Sequence, residues 1–333
     1  MTLTLDLAEA PDVEGLRFRN YTGVEDLPGM LAVWNAVHAT DGLEEIQALD
    51  DMQRAYSTLV NCDPGRDIVL AEVHGEIVAY ARVLWLDLVE GGRAYELFGF
   101  VHPTWRRRGI GRALLVHNES RLREIAADHA DASPKLFNSE GVEADAGNGA
   151  LMRAAGYEAV RYWYDMVAPS LDALTPTAMP DGLEVRPVTR DQYRALWDAS
   201  AEAFRDEWGQ AEWAEQDWER FQANPQNADP RYWRIGWEGD QVAGVITTTV
   251  PTEENEEYGR RRVYVSAVSV RRPWRRRGLA RALLSSSLVA AREEGFTSAS
   301  LGVDSTSPTG AIDLYRSLGF APEKTFITWR KPL

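Results

Sequence analysis

One phrase occurs twice in this chain with almost no change. Val101-His-Pro-Thr-Trp-Arg-Arg-Arg-Gly-Ile-Gly-Arg-Ala-Leu-Leu115 is answered by Val270-Arg-Arg-Pro-Trp-Arg-Arg-Arg-Gly-Leu-Ala-Arg-Ala-Leu-Leu284. The offset is 169 between the tryptophans (274 − 105) and again between the glycines (278 − 109). A register held without slippage at half the length of a 333-residue chain points to two copies of one domain. Length agrees, because a chain this long exceeds one ordinary core and suits two domains of roughly 150 residues. We therefore expect a first domain over 1–167, a linker over 168–182 and a second domain over 183–333. The linker reading rests on its three prolines and weak periodicity.

Both halves spell out the same order of elements. A strand-like opening (Leu16 to Tyr21; Leu183 to Pro187) precedes two helical stretches (Val24 to His38 and Leu49 to Val60; Asp191 to Phe204 and Glu212 to Ala223). Two hairpin strands follow, turning at His74-Gly75-Glu76 and at Glu238-Gly-Asp-Gln241. A central strand (Ala94 to Val101; Arg262 to Val270) then leads through the repeated phrase into a long helix. A further strand, a short helix ended by Gly156 or Gly319, and a closing strand (Val160 to Val167; Thr325 to Arg330) complete each half. The expected class is α+β, with the long helix as a parallel crossover in an otherwise mostly antiparallel sheet.

Composition narrows the function. The net charge of −15 opposes a duplex-binding role, since the arginines fall in short phrases within an acidic protein. No run approaches the roughly 18 apolar residues of a membrane span. The amino-terminal stretch lacks a basic export signal, and a single cysteine cannot form an internal disulfide, so a cytoplasmic setting is expected. The five histidines have no metal-ligand spacing, and no metal is expected.

The repeated phrase carries chemistry because it opens a helix. The first N–H groups of a helix lack partners, and the aligned peptide dipoles add roughly half a positive charge there. Gly109 and Gly278 allow close approach to the main chain, and Gly111 or Ala280 keeps the site clear of side chain. Such a bend suits a diphosphate, and flanking arginines can add charge-assisted hydrogen bonds. No Lys-Ser/Thr follows the glycines, and no Gly-Xaa-Gly-Xaa-Xaa-Gly occurs, which speaks against triphosphate P-loops and dinucleotide folds.

Arg106-Xaa-Xaa-Gly109-Xaa-Gly111 and Arg275-Xaa-Xaa-Gly278-Xaa-Ala280 resemble the acyl-CoA signature of the GCN5-related N-acetyltransferases. Ala311-Ile-Asp-Leu-Tyr315-Arg-Ser-Leu-Gly319-Phe320 is similar to a later segment of that family. The resemblance covers the chain as a tandem pair. It implies a sheet splayed between its fourth and fifth strands, with the pantetheine arm of acetyl-CoA against the main chain of Val268 and Val270, and of Val101 in the first copy. It implies diphosphate contacts from Arg275, Arg276, Arg277, Gly278, Leu279, Ala280 and Arg281. Their first-copy counterparts are Arg106, Arg107, Arg108, Gly109, Ile110, Gly111 and Arg112. Ser307-Pro308 departs from the family pattern, in which an asparagine often precedes the proline.

Acyl transfer to an amine needs a neutral amine, support for the developing oxyanion and a proton for the leaving thiolate. Tyr315 stands where the family holds that acid, whereas the first half has Met152 there, and a thioether cannot donate a proton. The second domain is therefore the expected catalyst. No base is assigned: Glu96 lies where some relatives hold a catalytic glutamate, but its counterpart is Val265, and the Glu253–Glu257 run reads as a solvated loop. Cys62 has no histidine near it in sequence, so a covalent route is not expected. Trp197, Trp208, Trp213 and Trp218, with Glu202, Asp206, Glu207, Glu212 and Glu215, either line an acceptor cleft for a cation or pack as core. The leading expectation is an acetyl-CoA-dependent N-acetyltransferase acting on a small-molecule or peptide amine by direct attack, with homodimerisation open. The alternatives are a non-catalytic acyl-CoA-binding regulatory module and an acetyltransferase resembling mycothiol synthase, itself a tandem member of the family.

Overall fold

The computed structural model describes residues 4–130, 133–307 and 309–333. They form two compact units, the first running to Arg161 and regaining Phe326–Leu333, the second spanning Tyr162–Thr325. In the first unit lie β1 (Thr4–Leu5), β2 (Leu16–Asn20), α1 (Leu27–Thr40), α2 (Leu49–Ser57), α3 (Pro64–Asp67), β3 (Ile68–Val73), β4 (Glu76–Asp87), β5 (Arg93–Val101), α4 (Ile110–Ala127), β6 (Lys135–Val142) and α5 (Ala146–Ala154). β7 (Glu158–Ala168) carries the chain into the second unit. There follow β8 (Glu184–Val185), α6 (Tyr193–Phe204), α7 (Glu215–Ala223), β9 (Arg234–Glu238), β10 (Gln241–Thr249), α8 (Thr252–Glu257), β11 (Arg262–Val270), α9 (Leu279–Glu293), β12 (Ser298–Asp304), α10 (Ala311–Arg316) and β13 (Ala321–Pro332). The α+β class and the order of elements are as the sequence implies.

Each unit is a mixed sheet, antiparallel up to β5 or β11 and then parallel where the long helix crosses over to β6 or β12. The first hairpin turns on His74 and Gly75, at φ 52° and 90°. Two left-handed residues there suit the right-handed twist of the flanking strands. Helix α9 buries Leu279, Leu283 and Leu288 against the sheet with Val263, Ala299 and Leu301. Burial of each such leucine contributes roughly 1.5–3 kcal/mol. The helix stops at Gly295 (φ 89°), where Phe296 N–H donates to Ala291 C=O at 3.1 Å.

The closing strands differ from the halving expected of the sequence. Val160 to Val167 was expected to finish the first unit, yet Trp163–Ala168 of β7 pairs antiparallel with β12 in the second. Phe326–Pro332 of β13, expected to close the second, pairs antiparallel with β6 in the first. The physical reason lies in the alternation of apolar residues. Ile327 and Trp329 are buried beside Phe137 and Leu122, and Met166 and Ala168 beside Leu301 and Leu288. Either strand presents an apolar face to whichever sheet edge it covers. Among the described residues, no helix is long and apolar enough to cross a membrane.

Candidate active site

The two copies of the repeated phrase adopt one backbone. After β5 or β11 comes a single 3₁₀ turn (Pro103–Trp105; Arg272–Trp274), then a non-glycine residue with left-handed φ: Arg107 at 64° and Arg276 at 60°. Gly109 (φ 88°) and Gly278 (φ 87°) then cap the long helices with no side-chain cap. A left-handed φ is uncommon outside glycine, and its recurrence at matching positions marks a built bend. The N–H groups of the first helical turn beyond each glycine are the donors such a bend offers. Among the described residues, a side-chain carbon built on Gly278 would meet nothing within 4 Å, so that bend is open on this side.

The arginines divide into three roles. Arg275 donates to Val270 C=O at 2.8 Å, Ala203 C=O at 3.0 Å and Asp206 Oδ2 at 2.5 Å. Arg106 likewise reaches Val101 C=O at 3.4 Å and grips both oxygens of Asp41 at 2.7 Å. These two side chains thus brace the bend against the end of α1 or α6, instead of projecting as free cations. The pairing with Arg272 and Arg275 holds the Asp206 carboxyl well below the usual range. Arg277 donates to Glu238 at 3.2 Å and Asp181 C=O at 3.1 Å, Arg108 stacks over Trp105 at 4.5 Å, Arg281 donates to Ser317, and Arg112 pairs with Glu9. Arg107 and Arg276 are exposed. Ile110 and Leu279 are core side chains, so only their main-chain amides can face a ligand.

Beyond the bend each sheet forks. β5 and β6 pair only from Arg93↔Lys135 to Glu96↔Asn138, and β11 and β12 only from Arg262↔Ser298 to Tyr264↔Ser300. This is the splay that the family resemblance implies. Val268 and Val270 lie on β11 past the fork, where no β12 ladder partner remains for their main chain. The β10–β11 ladder also slips by one residue, leaving Ser266 as an extra residue on β11, whereas β4–β5 runs without a bulge.

The two forks differ in chemistry. The first holds Glu96, whose oxygens accept from Asn138 Nδ2 at 3.0 and 2.9 Å, while Asn138 Oδ1 accepts from Arg330 Nε at 2.8 Å. Glu96 is only 9% exposed, and burial pushes its pKa up to about 7. At the corresponding ladder positions the second fork has Val265, Leu301 and Met166, all buried.

Tyr315 lies on α10, which starts from Gly310 (φ 77°) and is followed by a turn that reaches Gly319 (φ 91°). Phe320 N–H donates to Tyr315 C=O at 3.1 Å, and Tyr157 N–H donates to Met152 C=O at 3.0 Å. The shared helix-end bond makes Met152 and Tyr315 structural counterparts. Tyr315 is 5% exposed; burial raises its pKa, and the Glu207 carboxylate raises it further. Met152 is core, packed with Leu115, Leu122 and Phe137. Pro308 lies outside the described residues.

The acids and tryptophans of α6 and α7 are largely taken up by packing and pairing. Glu202 meets Arg271, Asp206 meets Arg272 and Arg275, Glu212 meets Arg205, and Glu215 meets Arg194. Trp197 lies 4.2 Å from Trp213 and 5.9 Å from Trp218, in a cluster extending to Phe221 and Trp233. Trp197, Trp213 and Trp218 therefore pack against other aromatic rings. The Glu253–Glu257 run is a short helix, α8, rather than a loop, pinned where Asn255 bonds both main-chain groups of Arg262. Burial pushes the Cys62 thiol up to about 12, which keeps it protonated.

The acetyltransferase (GNAT) family model matches residues 34–133 and again 193–320. The chain belongs to the GNAT family. Within it, the chain is 28% identical to a mycothiol acetyltransferase of Geodermatophilus obscurus over 307 residues, covering 91% of this chain and 93% of that one. A solved GCN5-related N-acetyltransferase from Sphaerobacter thermophilus superposes with a TM-score of 0.72 at 26% identity, covering 97% of this chain and 96% of its own. A tandem GNAT protein from the clavulanic acid biosynthesis pathway shares the fold at TM-score 0.65 and 19% identity, over 95% of this chain and 98% of its own.

Proposed function

We propose that the second unit binds acetyl-CoA at the Gly278 bend and passes the acetyl group to a primary amine by direct attack in a ternary complex. The observation that carries this reading is the bend itself, in which Arg276 and Gly278 are both left-handed and, among the described residues, a side-chain carbon on the glycine would meet nothing within 4 Å. The amides of Gly278, Leu279 and Ala280 would receive the diphosphate, with Arg276 alongside. The edge of β11 at Val268 and Val270 that faces away from β10, past the end of the β12 ladder, would pair with the pantetheine arm. When bound, the coenzyme supplies a thioester activated toward amines.

Tyr315 keeps its hydroxyl proton at neutral pH and would deliver it to the departing sulfur, while the proton lost by the acylated amine passes to solvent and solvent reprotonates the phenolate. Net acidity favours the approach of cationic amines. The likeness to a mycothiol acetyltransferase over nine-tenths of the chain favours, among amines, one of the mycothiol type.

The test is free-thiol release from acetyl-CoA across an amine panel that includes an acceptor of this type. At least one amine is expected to raise release tenfold or more over the amine-free rate. Gly278→Val places a β-branched residue at left-handed φ and is expected to abolish both release and calorimetric coenzyme A binding. Tight coenzyme binding with no amine raising release would favour a regulatory binding module instead.

A further inference from the structure

The two bends share a backbone but not their surroundings. A side-chain carbon built on Gly109 would meet Pro11 Cβ at 3.1 Å and Cγ at 3.5 Å, where the same carbon on Gly278 meets none of the described residues within 4 Å. Pro11 belongs to the segment that precedes β2, and that segment is anchored. Leu7, 5% exposed, is buried with Ile110, Ala113 and Leu114 of the first turns of α4, and Leu5 and Val13 pack alongside. Glu9, itself left-handed at φ 62°, turns its carboxylate onto Arg112 on the first turn of α4. An apolar anchor, a proline ring and an acid thus lie together over the first bend.

We infer that residues 4–13 stopper the Gly109 bend, so that the chain loads a single coenzyme, in the second unit. A proline ring over the glycine denies the close main-chain approach for which glycine is needed. Glu9 already gives Arg112 the negative partner that an incoming diphosphate would otherwise be. Because the stopper is tethered, it competes at an effective concentration on the order of millimolar. The inference rests on the reading of these bends as diphosphate sites given above.

Titration calorimetry of the full chain with coenzyme A counts the sites. The wild type is expected to bind one equivalent and Gly278→Val none. Adding Glu9→Ala and Pro11→Gly to Gly278→Val leaves the Leu7 anchor in place and is expected to restore about one equivalent, with circular dichroism confirming the fold. In an otherwise wild-type chain the same pair of changes is expected to raise the count from one to two. Two equivalents in the wild type, one surviving in Gly278→Val, or a folded triple variant that binds nothing would each overturn the stopper. No binding by the wild type would instead remove the diphosphate reading, and the stopper with it.

Discussion

At the scale of single residues, the proposed chemistry depends on a hydroxyl that keeps its proton. Burial of Tyr315 and the nearby Glu207 carboxylate both disfavour the phenolate. Tyr315→Phe is therefore expected to lower kcat by roughly 10²–10⁴-fold, the usual span for a positioned acid. Coenzyme A affinity by calorimetry should stay within twofold. Because Glu207 raises the tyrosine's pKa, Glu207→Gln should lower it, and the alkaline limb of the kcat–pH profile should move to lower pH. The place of Tyr315 on a short helix ahead of a glycine turn was legible from its Leu-Tyr-…-Gly-Phe setting. Glu207 was not distinguishable among five acids between 202 and 215, because only the fold brings it near Tyr315. The same blindness applied to the arginine triplets: Arg275 and Arg276 are neighbours of one type, yet one braces α6 and the other faces solvent.

Among the elements, the forked strands are the informative part. Repetition and valine-ended strands made the parallel crossover readable, and the family resemblance implied the splay. The Ser266 bulge was not readable, because a one-residue slip in a ladder leaves no mark on composition. The polar first fork yields a stability prediction. Glu96 has a folded pKa of about 7, above its ordinary 4.5, so the native state holds a proton that the unfolded chain releases. The cost to folding is absent below about pH 4.5, grows to about pH 7 and is constant above it. Its ceiling is about 3 kcal/mol from a shift of that size. Glu96→Gln should thus raise the melting temperature of the first unit at pH 8 by several degrees and leave it nearly unchanged at pH 4, as followed by calorimetry.

On the scale of the whole molecule, the exchange of closing strands is what the sequence concealed. Periodicity says that a strand is half-buried, not which edge it covers. A chain ending at Thr325 would lose Ile327 and Trp329 from the first unit's core and leave β6 without its outer partner. Loss of a buried tryptophan alone costs about 3–5 kcal/mol. Hydrogen exchange along Lys135–Val142 should accordingly lose its protection in the truncated chain. A cut in the 168–182 connection has a different outcome. Each piece would carry the strip of backbone the other needs, and each would expose an unpaired edge prone to aggregate when alone. Produced together, the two pieces would behave as a split reporter, recovering their folds only through mutual capture.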